Sequence, residues 1–130
     1  MKILGISCYY HDSAATLLIN GEIIAAAQEE RFTRIKHDSS FPKNAINFCL
    51  QEGKIKFSDI DKIVFYEDPD IKYKRILKTY STFFPKTIGF IFKTFPIWFL
   101  KKRFWKTILI KEFKNNFNQN INKSILTNVE

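Results

Sequence analysis

The 130-residue chain has little of what marks several protein classes. Cysteine is limited to Cys8 and Cys49, too few for the disulfide framework of a small secreted fold. Glycine and proline number four each, which excludes collagen-like and low-complexity chains. Uncharged runs in the aromatic-rich region are no longer than Thr94–Leu100, far short of the roughly 18 apolar residues a membrane span needs. The apolar stretch near the N-terminus is too short for a signal-peptide core, and no small-residue cleavage pattern follows it. The histidines, His11 and His37, form no helical metal-binding pair. No phosphate loop and no G-x-G-x-x-G turn is present. A cytoplasmic protein without a membrane span is the expectation.

What is present is a chain 45% hydrophobic and 26% charged. It is long enough for one ordinary domain with a core. Its charge is unevenly placed. Residues 1–66 carry eight Lys/Arg and eight Asp/Glu, whereas residues 67–130 carry thirteen against five and so supply the whole net charge of +8. Nine of the fourteen Phe and both Trp also fall in the second part. The two parts read as pieces made for different surroundings.

The first part predicts three consecutive antiparallel strands. The run from Ile3 to Ile6 ends in the polar loop Tyr9–Ser13, and Ala14–Ile19 leads to Asn20-Gly21. Asn-Gly is a strong hairpin signal because both central positions of a type I′ turn need positive φ. Glu22–Gln28 answers as the third strand. After a polar stretch, Glu29–Ser40, Pro42 suits the first turn of a helix. Ala45, Ile46, Cys49 and Leu50 share one face of that helix, and Gly53 is placed to end it. A fourth strand follows over about Asp61–Tyr66, closed by Pro69. This β-β-β-α-β order makes an α/β fold, the start of an RNase H-like or actin-like ATPase half-domain. Residues 71–118 predict basic, aromatic helices broken by Pro85 and Pro96, Asn115–Asn122 an Asn/Gln-rich link, and residues 119–130 the start of a fifth strand.

The run Ile3–Pro42, above all Tyr10-His11-Asp12-Ser13-Ala14-Ala15 and Gln28-Glu29-Glu30-Arg31-Phe32, resembles the N-terminal signature of the ATP-dependent O-carbamoyltransferases of the nodulation-factor and antibiotic-tailoring type. The run Asp59–Pro69 and the basic aromatic segment after it resemble what comes next in that family. The resemblance implies an actin-like ATPase fold and a second, C-terminal domain. It implies carbamoyl phosphate, ATP and a hydroxyl acceptor as small-molecule substrates, with a carbamoyl-adenylate between them. A divalent metal is implied as well, with iron the expected ion. Family members are several times longer, and their histidine-rich metal segment follows a strand similar to Ile125–Glu130. The chain is therefore expected to be a truncated N-terminal fragment with no metal ligands of its own and no turnover alone.

By the same resemblance His11 is the acid/base or charge-stabilising candidate, accompanied by Asp12 and Ser13. Read locally, Asp12 and Ser13 would only cap the backbone of a loop on which His11 is exposed. Exposed N–H groups in that turn, with the Ser13 hydroxyl, would suit phosphate oxygens. Arg31, Lys36 and His37 are candidates for holding an anionic substrate. Glu67 lies where ligands meet α/β sheets, at the end of a strand. Glu29 and Glu30 read as strand-end carboxylates pointing to opposite faces, and Cys8 and Cys49 as small buried apolar residues. The alternative function is a small basic binder of nucleic acid or of a membrane surface, carried by Lys101-Lys102-Arg103 among Trp98, Phe99, Phe104 and Trp105. The core-like spacing of the aromatic residues favours instead a helical insertion packed on the enzyme's body, with no nucleic acid as partner.

Overall fold

The computed structural model describes residues 1–67, 69–84, 89 and 105–128. The first hairpin forms as the Asn-Gly signal requires: Asn20 and Gly21 have φ of 52° and 90°. It joins strands β2 (Ala14–Ile19) and β3 (Glu22–Gln28), which lie beside β1 (Lys2–Ser7). The strands β4 (Lys62–Phe65) and β5 (Leu126–Asn128) complete a five-stranded sheet in the order β3-β2-β1-β4-β5. β1, β2 and β3 pair antiparallel, whereas β4 pairs parallel to β1 and β5 parallel to β4. The chain is a mixed α/β protein.

Side-chain alternation decides which face is buried. Leu4 and Ile6 of β1 sit opposite Leu17 and Ala15 of β2 on one side, and opposite Ile63 and Phe65 of β4 on the other. All six are buried, as are Ala25 and Leu126 in the same row. Two helices cover this face. Helix α2 (Lys43–Glu52) lays Ala45, Ile46, Cys49 and Leu50 against β2 and β3. A later helix, Trp105–Phe117, contributes the fully buried Leu109 and Phe113. Phe113 meets Phe41 edge-on at 5.0 Å and Phe57 at 5.1 Å, and Trp105 stacks on Phe65 at 5.0 Å. Such aromatic contacts add about 0.5–1.5 kcal/mol each beyond the area they bury. The aromatic excess of the second part thus works as core from residue 105 onward.

Several expectations change in detail. The polar stretch after β3 holds a one-turn helix, α1 (Glu30–Thr33), too short to leave a periodic pattern. Pro69 does more than close β4: it is the first residue of α3 (Pro69–Thr82), where its missing N–H has no cost. The apolar side chains expected to line that helix are largely open to solvent, with Leu77 40% exposed and the following Phe83 and Phe84 more so. The helix Trp105–Phe117, here α4, extends into the Asn-rich segment that read as a link. Edge strand β3 carries a bulge: Leu17 pairs with Ala25 and Leu18 with Ile23, leaving Ile24 as the extra residue. A bulge bends an edge strand away from further pairing, which suits the exposed Ile23. The segment containing Pro85, Pro96, Trp98, Phe99, Lys101–Arg103 and Phe104 lies outside the described residues.

Gly53 is required for space and not for backbone freedom. It closes α2 with an ordinary φ of −73°, but a Cβ there would lie 2.4 Å from Cδ2 of the fully buried Leu17. Gly53→Ala is therefore expected to destabilise the fold by about 1–3 kcal/mol, the usual cost of overpacking. Urea unfolding checks this; a midpoint at or above the wild-type value would contradict the packing described.

Candidate functional site

β1 and β4 run parallel, so the segments that follow them leave the sheet at the same end. The segment after β1 is Cys8–Ser13, and the segment after β4 begins with Tyr66, whose N–H donates to the Ile6 carbonyl at 3.1 Å. In open α/β sheets this is the end where ligands collect. Tyr9 and Asp12 both take left-handed backbone, with φ of 69° and 50°. For non-glycine residues such conformations cost about 1–3 kcal/mol and persist where surrounding bonds impose them. Those bonds are present. Tyr9 N–H donates to the Ser39 carbonyl at 2.8 Å and Ser13 N–H to the Asp38 carbonyl at 2.7 Å. The loop after β1 is thereby pinned at both ends to the loop preceding α2.

Between the pins Asp12 holds two imidazoles. His11 Nδ1 lies 2.7 Å from one carboxylate oxygen and His37 Nδ1 2.9 Å from the other. A carboxylate only accepts hydrogen bonds, so each ring carries its proton on Nδ1 and, when neutral, offers a lone pair at Nε2. Both rings are open to solvent, with side-chain exposures of 58% and 63%, while Asp12 is more enclosed at 32%. The hydrogen bond to His37, followed by that to His11, holds the Asp12 carboxyl below its usual range. Tyr10 packs its ring 4.4 Å from that of His11. His37, also left-handed at φ 57°, donates its own N–H to Glu30 Oε2 at 3.2 Å.

The other sequence candidates fall in different places. Ser13 is fully buried, and its Oγ has no hydrogen-bond partner among the described residues. Its N–H, expected to be free for phosphate oxygens, is instead engaged by Asp38 because Ser13 starts the approach to β2. Arg31 lines a cleft of about 510 Å³ with Gln28, Phe32 and Phe48, floored by the small residues of β2 and β3. Lys36 is exposed beside His37. Glu67 accepts the Tyr66 hydroxyl at 3.3 Å, and burial, with that carboxylate second, keeps the phenol protonated well above its ordinary range.

Glu29 departs most from its reading as a strand-end carboxylate. It has helical backbone and is 2% exposed. Its carboxylate accepts Asn44 N–H at 3.1 Å, Asn44 Nδ2 at 2.7 Å and Ala45 N–H at 2.8 Å, so it caps α2 from a distance in sequence. The signal for this lay in the helix start itself: Phe41-Pro42 provides no side-chain cap, so the first N–H groups need an acceptor from elsewhere.

Among the described residues no three His, Cys, Asp or Glu side chains converge as a metal site. With Nδ1 turned to Asp12, His11 and His37 each keep Nε2 as the open donor atom, and no third ligand among the described residues stands beside the two. No helix among the described residues is long and apolar enough to cross a membrane.

An α/β protein with a paired-imidazole loop at the ends of its parallel strands is the class defined so far. Comparison with known proteins makes this specific: the family model described as Carbamoyltransferase N-terminus matches residues 2–128. The chain belongs to that family. It is 50% identical over 109 residues to an uncharacterised protein of Synechocystis sp., covering 84% of this chain and 18% of the relative. It is 45% identical over 58 residues to the nodulation protein NolNO of Sinorhizobium fredii, covering 45% of this chain and 8% of the relative. An uncharacterised 19.2 kDa protein of Rhizobium etli is 41% identical over 58 residues, 45% of this chain and 34% of that protein. The chain thus spans about a third or less of the length of these relatives.

Two outcomes follow from the site's geometry. Burial pushes the Cys8 thiol up to about 12, and Cys49 is buried and raised too, so both stay protonated at pH 8. Neither thiol should react with a chromogenic disulfide at pH 8 until urea opens the fold; immediate labelling of either would contradict the burial. For Asp12 the folded carboxyl titrates below the unfolded value near 3.9. The stability it contributes is therefore complete above that pH and is lost as the pH falls through the lower folded value. Asp12→Asn should lower the melting temperature at pH 6, and the difference from wild type should close in the acid limb. An equal difference at every pH would remove the carboxylate from the account.

Proposed function

We propose that the chain forms the first part of an ATP-dependent O-carbamoyltransferase built on an RNase H-like, actin-like ATPase fold. In the whole enzyme water splits carbamoyl phosphate into carbamate and phosphate, a carbamate oxygen displaces pyrophosphate from the α-phosphorus of ATP, and the carbamoyl group of the resulting carbamoyl-adenylate passes to a hydroxyl of a sugar or another small molecule as AMP leaves. The observation that carries this reading is the Asp12-bridged pair His11 and His37 at the ends of parallel strands in a member of this family. The strand order β3-β2-β1-β4-β5, antiparallel then parallel, supports the fold part of the reading.

The geometry supports the following residue roles. Asp12 orients both rings and fixes their tautomer, so that Nε2 of His11 faces the reactants as a proton acceptor. When the acceptor hydroxyl attacks the carbamoyl carbon, the bond from that carbon to the adenylate oxygen breaks, and the hydroxyl proton passes to His11. His37, Lys36 and Arg31 supply donors and positive charge for the anionic substrate. The Ser13 hydroxyl has no part in this, and Glu67 serves by fixing the neighbouring Tyr66 phenol. A metal of the kind that accompanies the family would add Lewis acidity, and the described residues alone make no complete site for it.

Residues 1–130 alone are expected to give no turnover, and activity is tested in a chimera. Residues 1–128 replace the matching segment of a longer family member that consumes carbamoyl phosphate and ATP. The chimera should carbamoylate its acceptor, and His11→Ala within it should lower kcat by roughly 10²–10⁴-fold, the span of general acid–base catalysis. Unchanged circular dichroism with unchanged kcat would contradict the role given to His11.

A further inference from the structure

Glu29 touches neither imidazole, yet its bonds reach both sides of the pair. Its carboxylate takes three N–H donors at the start of the ten-residue helix α2, with Asn44 Nδ2 at 2.7 Å and Ala45 N–H at 2.8 Å the shortest. Its own N–H donates to the Ser13 carbonyl at 2.7 Å, and Ser13 N–H donates onward to the Asp38 carbonyl at 2.7 Å. Ser13 directly follows Asp12, and Asp38 directly follows His37. A second route runs through α1. The Glu29 carbonyl accepts the N–H of Thr33 at 3.0 Å, and the Thr33 hydroxyl donates to Asp38 Oδ2 at 2.7 Å. Asp38 Oδ1 in turn accepts Ser40 N–H at 2.9 Å, which shapes the segment entering α2. These contacts span 2.7–3.1 Å, and Glu29, Ser13 and Asp38 are all buried.

The structure assigns Glu29 the role of a positioning residue: we propose that its buried carboxylate, by fixing the start of α2 against the end of β3, sets the separation of Asp12 and His37 and so keeps both imidazoles on one carboxylate. The physical reason is that each link leaves no slack. A carboxylate removed from water must keep its donors, because an unsatisfied buried charge is far costlier than a lost surface contact. The N-terminus of α2 also attracts negative charge through its aligned peptide dipoles. The inference concerns the geometry of the pair and stands independently of the carbamoyl-transfer reading, since its test needs no substrate.

The test is nitrogen-15 and carbon-13 NMR on the full 130-residue chain. In the wild type both neutral rings should show the Nδ1–H form, and Asp12 should titrate below the usual carboxylate value. Glu29→Gln puts an NH₂ group against the N–H donors of α2. The ring signals should then move toward the Nε2–H form, and the Asp12 titration should rise toward ~3.9. Asn44→Ala removes one donor and is mild enough to preserve the fold; it should move both signals in the same direction by a smaller amount. Gly53→Ala crowds the opposite end of the same helix against Leu17 and should leave both signals at their wild-type positions. If Glu29→Gln does not fold, the comparison of Asn44→Ala with Gly53→Ala decides. Wild-type signals in the Asn44 variant, or an equal displacement in the Gly53 variant, would overturn the proposal, since a merely structural Glu29 would not single out the imidazoles.

Discussion

A carboxylate that leaves water keeps its charge only when other donors replace the hydration it gives up. Glu29 meets that requirement with the open N–H groups of α2, and much of the molecule follows from the arrangement. The helix has no local cap, so its start depends on a residue at the far end of β3. That dependence ties the crossover helix to the hairpin and places the loop holding His37 beside the loop holding His11. Strand pairing sets the platform, and one buried charge sets what stands at its end.

The platform is built by alternation. Leu4, Ile6, Leu17, Ile63 and Phe65 fall on one face because successive residues of a strand point to opposite sides. α2 covers that face with Ala45, Ile46, Cys49 and Leu50, and α4 covers it with Leu109 and Phe113. Cys49 is small enough to approach the backbone between β2 and β3, where its thiol lies 3.5 Å from the Ala15 carbonyl. Phe41, Phe57, Phe113 and Phe117 form a cluster that joins the entry to α2 with α4. The opposite face of β1 and β4 is only half-buried among the described residues.

The hairpin, α2 and the parallel strand were legible in the sequence because their signals are local. Asn20-Gly21 fixes a turn, Ala45 to Leu50 share a helix face, and Gly53 ends that face. His11 and Asp12 were legible by resemblance, and their adjacency made contact between them easy to expect. The bond from His37 to Asp12 was not legible, since 25 residues and a hairpin separate them. Glu29 was misread for the same reason: its partners lie fifteen and sixteen residues away, so no spacing rule connects them. The Ser13 hydroxyl looked like a loop group but is enclosed, because Ser13 is already bonded into the approach to β2. Local patterns predicted elements well; contacts between loops required the fold.

The loops that carry the paired imidazoles are held by buried backbone bonds of the chain itself. Hydrogen exchange at the Ser13 amide tests this most directly, because that N–H donates to the Asp38 carbonyl between the two loops. This amide is expected to be protected to the same degree as those of Leu4 and Leu17 at the centre of the sheet. Exchange at the rate of an open loop, with the sheet amides still protected, would contradict this.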